Sequence, residues 1–264
     1  MLSVKDATVK YSEAGIGKAT MPIVKMFVLA FMAGMFISFA GVASSVVSST
    51  IESPSVAKLV GAMVFPAGLA MVVLNGSELF TGNNLMIISV LDKRISVFGM
   101  LKNWVVVYLG NFAGSIFVTG LYTLGHEYSL FHNEVAKSVV STAVSKCNLN
   151  VTDAFIKAIF CNILVCVAVM MAMTAENSAG KIAALFLPIM IFVVSGFEHS
   201  VANMSYISGG LFINDKYGSL GLDTAGLTWY NFLVTNLVPV TLGNIVGGLF
   251  TGILYWFTGK NNKQ

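Results

Sequence analysis

Charge is what this chain lacks most. Only 10% of its 264 residues are Asp, Glu, Lys or Arg, against roughly a quarter in ordinary soluble domains. Apolar residues supply 56% and mean hydropathy is +0.82, which excludes a water-soluble globule. Cysteine and histidine are equally sparse, at three residues each. Cys147, Cys161 and Cys166 lack the paired spacing of a disulfide framework or metal ribbon. His126 and His132 flank Glu127 and read as solvated loop residues, with nothing to complete a metal set. There is no His-Glu-x-x-His pair and no Gly-x-Ser-x-Gly elbow. The residues therefore call for no metal, no cofactor and no covalent catalysis, and the chain reads as a non-enzyme. Its net charge of +3 does not argue for nucleic acid.

What is present is apolar length. A helix needs about 20 apolar residues to cross a bilayer. Such runs occur near 26–49, 59–91, 104–124, 154–174, 182–212 and 230–258, predicting an all-α membrane protein with six transmembrane helices over 26–258. The second and fifth runs are too long for one straight span. Residues 1–25 carry Lys5, Lys10, Lys18 and Lys25 ahead of the first run and read as a cytoplasmic or interfacial segment, either an amphipathic helix or lid or a frayed terminus. Residues 259–264 form a tail. With the N-terminus inside, ten lysines and arginines face the cytoplasm and five face out, so both termini are expected to be cytoplasmic.

The two long runs each contain a polar break. Gly76-Ser77-Glu78-Leu79-Phe80-Thr81-Gly82-Asn83 and Gly196-Phe197-Glu198-His199-Ser200-Val201-Ala202-Asn203 match at Gly, Glu and Asn, 120 residues apart. Asn103, Gly110, Asn111 and Gly114 then match Asn236, Gly243, Asn244 and Gly247 at an offset of 133. Three crossings per half is an odd number, so the second half must enter the membrane inverted, with its break meeting the first at the midplane. Broken backbone at that depth survives only where protein or a cavity surrounds it. A channel or carrier for a small solute is the expectation. The glycines, four apart, allow close helix packing, while Asn244 suits either a pore role or a structural cap.

These stretches, together with Asn162-Ile163-Leu164-Val165-Cys166 and Pro239-Val240-Thr241-Leu242-Gly243-Asn244, resemble the formate/nitrite transporter family, and most its hydrosulfide channel branch. That resemblance implies an aquaporin-like fold, a homopentamer in the bacterial inner membrane with one pore per protomer, and passage of small monovalent anions (hydrosulfide, formate, nitrite) or their conjugate acids. It implies an outer constriction at Phe65, Leu79 and Phe192 and an inner one at Leu69, Phe80 and Val165. Thr81 would sit between the slits, His199, supported by Glu198, would face the chamber near Asn162 and Asn244, and Lys146 would line the outer vestibule.

The chemistry of those residue types agrees. An anion in a dry slit loses its hydration at great cost, whereas a neutral acid loses far less. His199 is the one histidine within the apolar runs and can be a donor, a proton relay or a switch. Glu78 and Glu198 suit a scaffold that accepts N–H groups exposed at the breaks. A proton-coupled anion carrier would use the same groups. A water or glycerol channel shares the repeat but would carry Asn-Pro-Ala, which neither break contains. An intramembrane enzyme built on Glu198-His199 is the alternative from another class.

Overall fold

Backbone groups in hydrocarbon must find partners inside their own segment, which forces spanning segments into helices. The computed structural model describes residues 1–259, with no strand among them; the expected tail beyond, with Lys260 and Lys263, lies outside the described residues. The first half comprises α1 (Val4–Thr20), α2 (Ile23–Ser48), α3 (Pro54–Val64), α4 (Pro66–Leu74), α5 (Phe80–Asn83), α6 (Ile87–Leu91) and α7 (Val97–Leu124). The second comprises α8 (Glu134–Cys147), α9 (Val151–Thr174), α10 (Ser178–Val194), α11 (Ser200–Tyr217), a π-helical turn at Asn231–Leu237, and α12 (Val238–Gly259). The six crossings are α2, the broken α3–α6, α7, α9, the broken α10–α11, and α12, in two inverted repeats of three.

Several helices begin earlier than the apolar runs. Lys25, Lys58 and Lys102 fall inside the first two turns of α2, α3 and α7. A lysine shortens the hydrophobic run without ending the helix, because its aliphatic stem packs while the ammonium reaches outward. Two further helices flank the spans. In α1, the Ser3 hydroxyl caps the Asp6 N–H at 3.1 Å, and Ala7, Tyr11 and Ala19 are buried as the helix packs on α9 and α12. The frayed terminus does not describe this segment. In α8, Val135, Ala136, Val139, Val140 and Ala143 are buried against α11.

Both breaks are made alike. The chain leaves α4 through Gly76 at φ +62° and leaves α10 through Gly196 at φ +70°, a region that costs residues with a Cβ. It then runs extended through Leu79 or His199 and restarts as a helix at Phe80 or Ser200. Around the breaks, α2 packs on α7 as α9 packs on α12. A Cβ added at Gly114 would collide with the Phe31 carbonyl, and one at Gly247 with the Ile159 carbonyl. The glycines at four-residue spacing are therefore packing residues that bring backbones together.

Gly247→Ala should lower stability by about 1–3 kcal/mol through overpacking, read as a lower melting midpoint in detergent. Gly17→Ala, where an added Cβ meets nothing within 4 Å, should leave the midpoint unchanged.

Candidate functional site

Each break holds a buried carboxylate in a matching set of partners. Glu78 accepts from Lys18 Nζ at 2.6 Å and Asn83 Nδ2 at 2.6 Å. Glu198 accepts from Lys146 Nζ at 2.9 Å on both oxygens and from Asn203 Nδ2 at 2.6 Å. Asn83 also donates to Asn103 Oδ1, and Asn203 to Asn236 Oδ1, each at 2.8 Å. Asn103 and Asn236 donate in turn to the backbone carbonyls of Lys18 and Lys146, at 3.2 and 2.9 Å. Both carboxylates are under a tenth exposed. A charge so placed is sustained only by a paired cation and hydrogen bonds.

Asn111 and Asn244 hold the restarted helices. Asn111 Oδ1 accepts the Phe80 N–H and Asn244 Oδ1 accepts the Ser200 N–H, both at 2.9 Å. Their amides donate to Ala30 and Glu78 carbonyls on one side, and to Ala158 and Glu198 carbonyls on the other. Of the two readings left open for Asn244, this is the cap: its amide is fully used on backbone. Asn162 lies alongside, donating to the Asn244 carbonyl at 2.6 Å, to Asn84 Oδ1 at 2.8 Å and to the Thr81 carbonyl at 3.2 Å.

Between the two loops the symmetry ends. Thr81 Oγ1 and His199 Nε2 lie 2.9 Å apart, joining one re-entrant segment to the other. His199 Nδ1 accepts the Ala202 N–H at 3.1 Å, so the neutral ring carries its proton on Nε2 and donates it to Thr81. The Glu198 carboxylate turns instead to Lys146 and Asn203; sequence neighbours, the two side chains have separate partners. Phe192 stacks on the imidazole with ring centroids 5.8 Å apart, and Phe65 meets Phe192 edge-on at 5.6 Å. Leu69, Leu79, Phe80 and Val165 are buried in the same core, where Phe80 packs edge-on against Trp104 and Tyr108.

A cavity of about 530 Å³ opens on the face opposite α1. Hydroxyls of Ser44, Ser48, Ser141 and Ser145 line it, and it descends to Phe65, Phe192 and His199. Lys146 lines it with Lys58 and Lys157. A second cavity, about 590 Å³, separates the N-terminal residues from α9 and α10; its lining includes none of the candidate pore residues. No group of three His, Cys, Asp or Glu able to hold a metal occurs among the described residues.

Two broken helices, clamped by matched Glu, Lys and Asn sets and meeting at a single imidazole, coincide with a family profile. The formate/nitrite transporter profile matches residues 5–257. The chain belongs to the formate/nitrite transporter family. It is 38% identical over 255 residues to the formate channel FocA of Escherichia coli strain K12, covering 92% of this chain and 90% of that protein. Its fold superposes on an FNT family ion channel with a TM-score of 0.86, at 31% identity and covering 96% and 98% of the two chains. A pentameric formate channel with formate bound gives a TM-score of 0.79 at 35% identity, covering 89% and 97%. The protein is thus a multi-pass membrane protein of a transporter family whose relatives are named for transport rather than catalysis.

Within this family member, sequence reasoning missed Lys18. It stands 128 residues before Lys146, an offset the flanking residues do not repeat. It also missed Tyr11, whose hydroxyl donates to the Gly82 carbonyl at 3.0 Å. Both come from α1, so the N-terminal helix touches the re-entrant loop as α8 does on the other face.

Removing Lys146 leaves Glu198 buried and unpaired, which costs about 3–5 kcal/mol. Lys146→Met should therefore reduce the yield of folded protein and its melting midpoint sharply. Adding Glu198→Gln should recover much of that loss; a double variant as unstable as the single one would refute the pairing.

Proposed function

We propose that each protomer is a conduit for small monovalent anions of formate and nitrite size, hydrosulfide included, or for their conjugate acids, and that five protomers assemble with lipid around them. The Thr81–His199 hydrogen bond between the two re-entrant loops is the observation that carries this reading. It puts a polar pair where two inverted halves converge, under the aromatic lid of Phe65 and Phe192 and at the floor of the polar vestibule.

The chemistry follows from that placement. An anion descending the vestibule loses water at the phenyl rings, and dewetted apolar rings of this kind gate by excluding hydration. At the centre, Nε2–H is spent on Thr81 Oγ1, which leaves the Thr81 hydroxyl proton to face the solute. First-turn N–H groups of α5 and α11, which have no intrahelical acceptor, add positive potential at both helix N-termini. A proton can reach the solute along the same line once Nδ1 takes one up from the vestibule: the imidazolium passes its Nε2 proton to the Thr81 hydroxyl as that hydroxyl gives its own to the solute, and the ring returns to neutral. Protonating Nδ1 would oppose the Ala202 N–H and open the cap of α11, so the ring's charge state and the loop geometry are linked. Leu69, Leu79, Phe80 and Val165 supply the dry walls on either side of the pair. Asn162 positions the Thr81 backbone, and Glu78 with Glu198 keeps the loops in place. The family resemblance and the relatives named as formate channels support the substrate class; the inner bacterial membrane, with both termini cytoplasmic, is the location that fits the lysine distribution.

Flux of formate, nitrite, hydrosulfide and chloride through one liposome preparation tests the reading. Formate, nitrite and hydrosulfide should pass, with single-oligomer currents in a planar bilayer. Strictly electroneutral flux with no current would make the protein a proton-coupled carrier instead, and glycerol passage without anion flux would reject both.

His199→Ala should lose most of the wild-type pH dependence between about pH 5 and 8 while still assembling. A variant whose pH profile matches wild type would remove the imidazole from the mechanism. Thr81→Val should shift the same profile, because it cuts the relay at the hydroxyl while the imidazole itself remains.

A further inference from the structure

The vestibule holds three lysines, and the obvious attractor is the one least able to act. Lys146 is committed to both oxygens of Glu198, so its charge is balanced within the wall. Lys58 and Lys157 line the same cavity and make no ion pair among the described residues. The Lys58 ammonium lies 3.8 Å from the position a Cβ would take on Gly196, beside the turn that leads to Glu198 and His199. Lys157 sits on α9, where its carbonyl receives the Glu198 N–H at 3.4 Å. Both charges therefore stand around the approach to the pore loop.

The repeat shows that these two cations are additions. Lys146 has its counterpart in Lys18, each with its own glutamate. At the position equivalent to Lys157 the first half has Leu29, whose carbonyl receives the Glu78 N–H at 3.3 Å. At the position equivalent to Lys58, the offset that aligns the two breaks places Ser178. The first break is thus flanked by a balanced pair, while the vestibule over the second holds a balanced pair and two further lysines.

We propose that Lys58 and Lys157, rather than Lys146, gather anions into the outer vestibule. The inference rests on the anion-conduit reading above. A cleft lined by one sign of charge and walled by low-dielectric protein raises the local concentration of the opposite ion by tenfold or more. Because the conduit is passive, the surplus charge speeds capture without setting a direction of net flow.

The test is formate conductance of single oligomers in planar bilayers, for wild type, Lys58→Gln, Lys157→Gln and the double variant, with ionic strength varied on one face at a time. At about 0.01 M on the outer face, where the screening length is about 30 Å, the double variant should conduct at least about threefold less than wild type, the single variants falling between. At about 1 M on that face, where screening falls to about 3 Å, the difference should vanish. Salt on the inner face should not change the ratio. Lys137→Gln, which removes an outer lysine already paired with Glu134, should match wild type throughout. Unchanged conductance of the double variant at low outer salt overturns the proposal, as does a loss that persists at high salt. Absence of anion current in wild type overturns the conduit reading itself, which separates the two failures.

Discussion

A carboxylate withdrawn from water beside each break of a membrane helix is the constraint on which the rest of this structure depends. Interrupting a helix in hydrocarbon frees backbone groups that lipid cannot satisfy. The chain answers with Asn111 and Asn244, which accept the first N–H of each restarted helix and donate to the carbonyls left behind. Glu78 and Glu198 then hold the loops from the other side, each drawing in a lysine from a flanking helix and an asparagine from the restarted one. A buried ion pair contributes little net stability compared with well-packed apolar residues. Its effect here is geometric, since one carboxylate fixes the relative positions of three elements.

On this symmetric scaffold the residues at the centre differ between the halves. Leu79 and His199 are equivalent positions, as are Thr81 and Val201. One half supplies the imidazole, the other the hydroxyl that meets it, and each is apolar where its counterpart is polar. The two-sided polar pair therefore exists only because the two inverted halves differ at these positions. A symmetric pair of histidines would face each other across the axis, and a symmetric pair of leucines would leave no polar partner at all.

The architecture was legible because its signals are local and repeated. Apolar length marked the six crossings, and the odd number per half dictated inversion before any coordinates. The glycine–glutamate–asparagine echo located the start of both breaks to within a residue, while its asparagines lie in the first turn of the restarted helices. Other features were hidden for physical reasons. Helix starts were placed too late wherever a lysine entered the first turns, since hydropathy registers the ammonium and not the aliphatic stem. Helix α8 left no mark among the apolar runs because its apolar stripe is short and interrupted by serines. The pairing of Lys146 with Glu198 joins residues 52 apart, and sequence contains no signal for which of several lysines turns toward a carboxylate. Lys58 and Lys157 escaped for the same reason, their significance arising only once Lys146 is seen to be occupied.

Helix α1 matches α8 in its terminal lysine, in the glutamate that lysine reaches and in the asparagine that closes the set. Each half therefore consists of a flanking helix followed by three crossings. What looks like an N-terminal appendage is thus the counterpart of the helix set between the two halves.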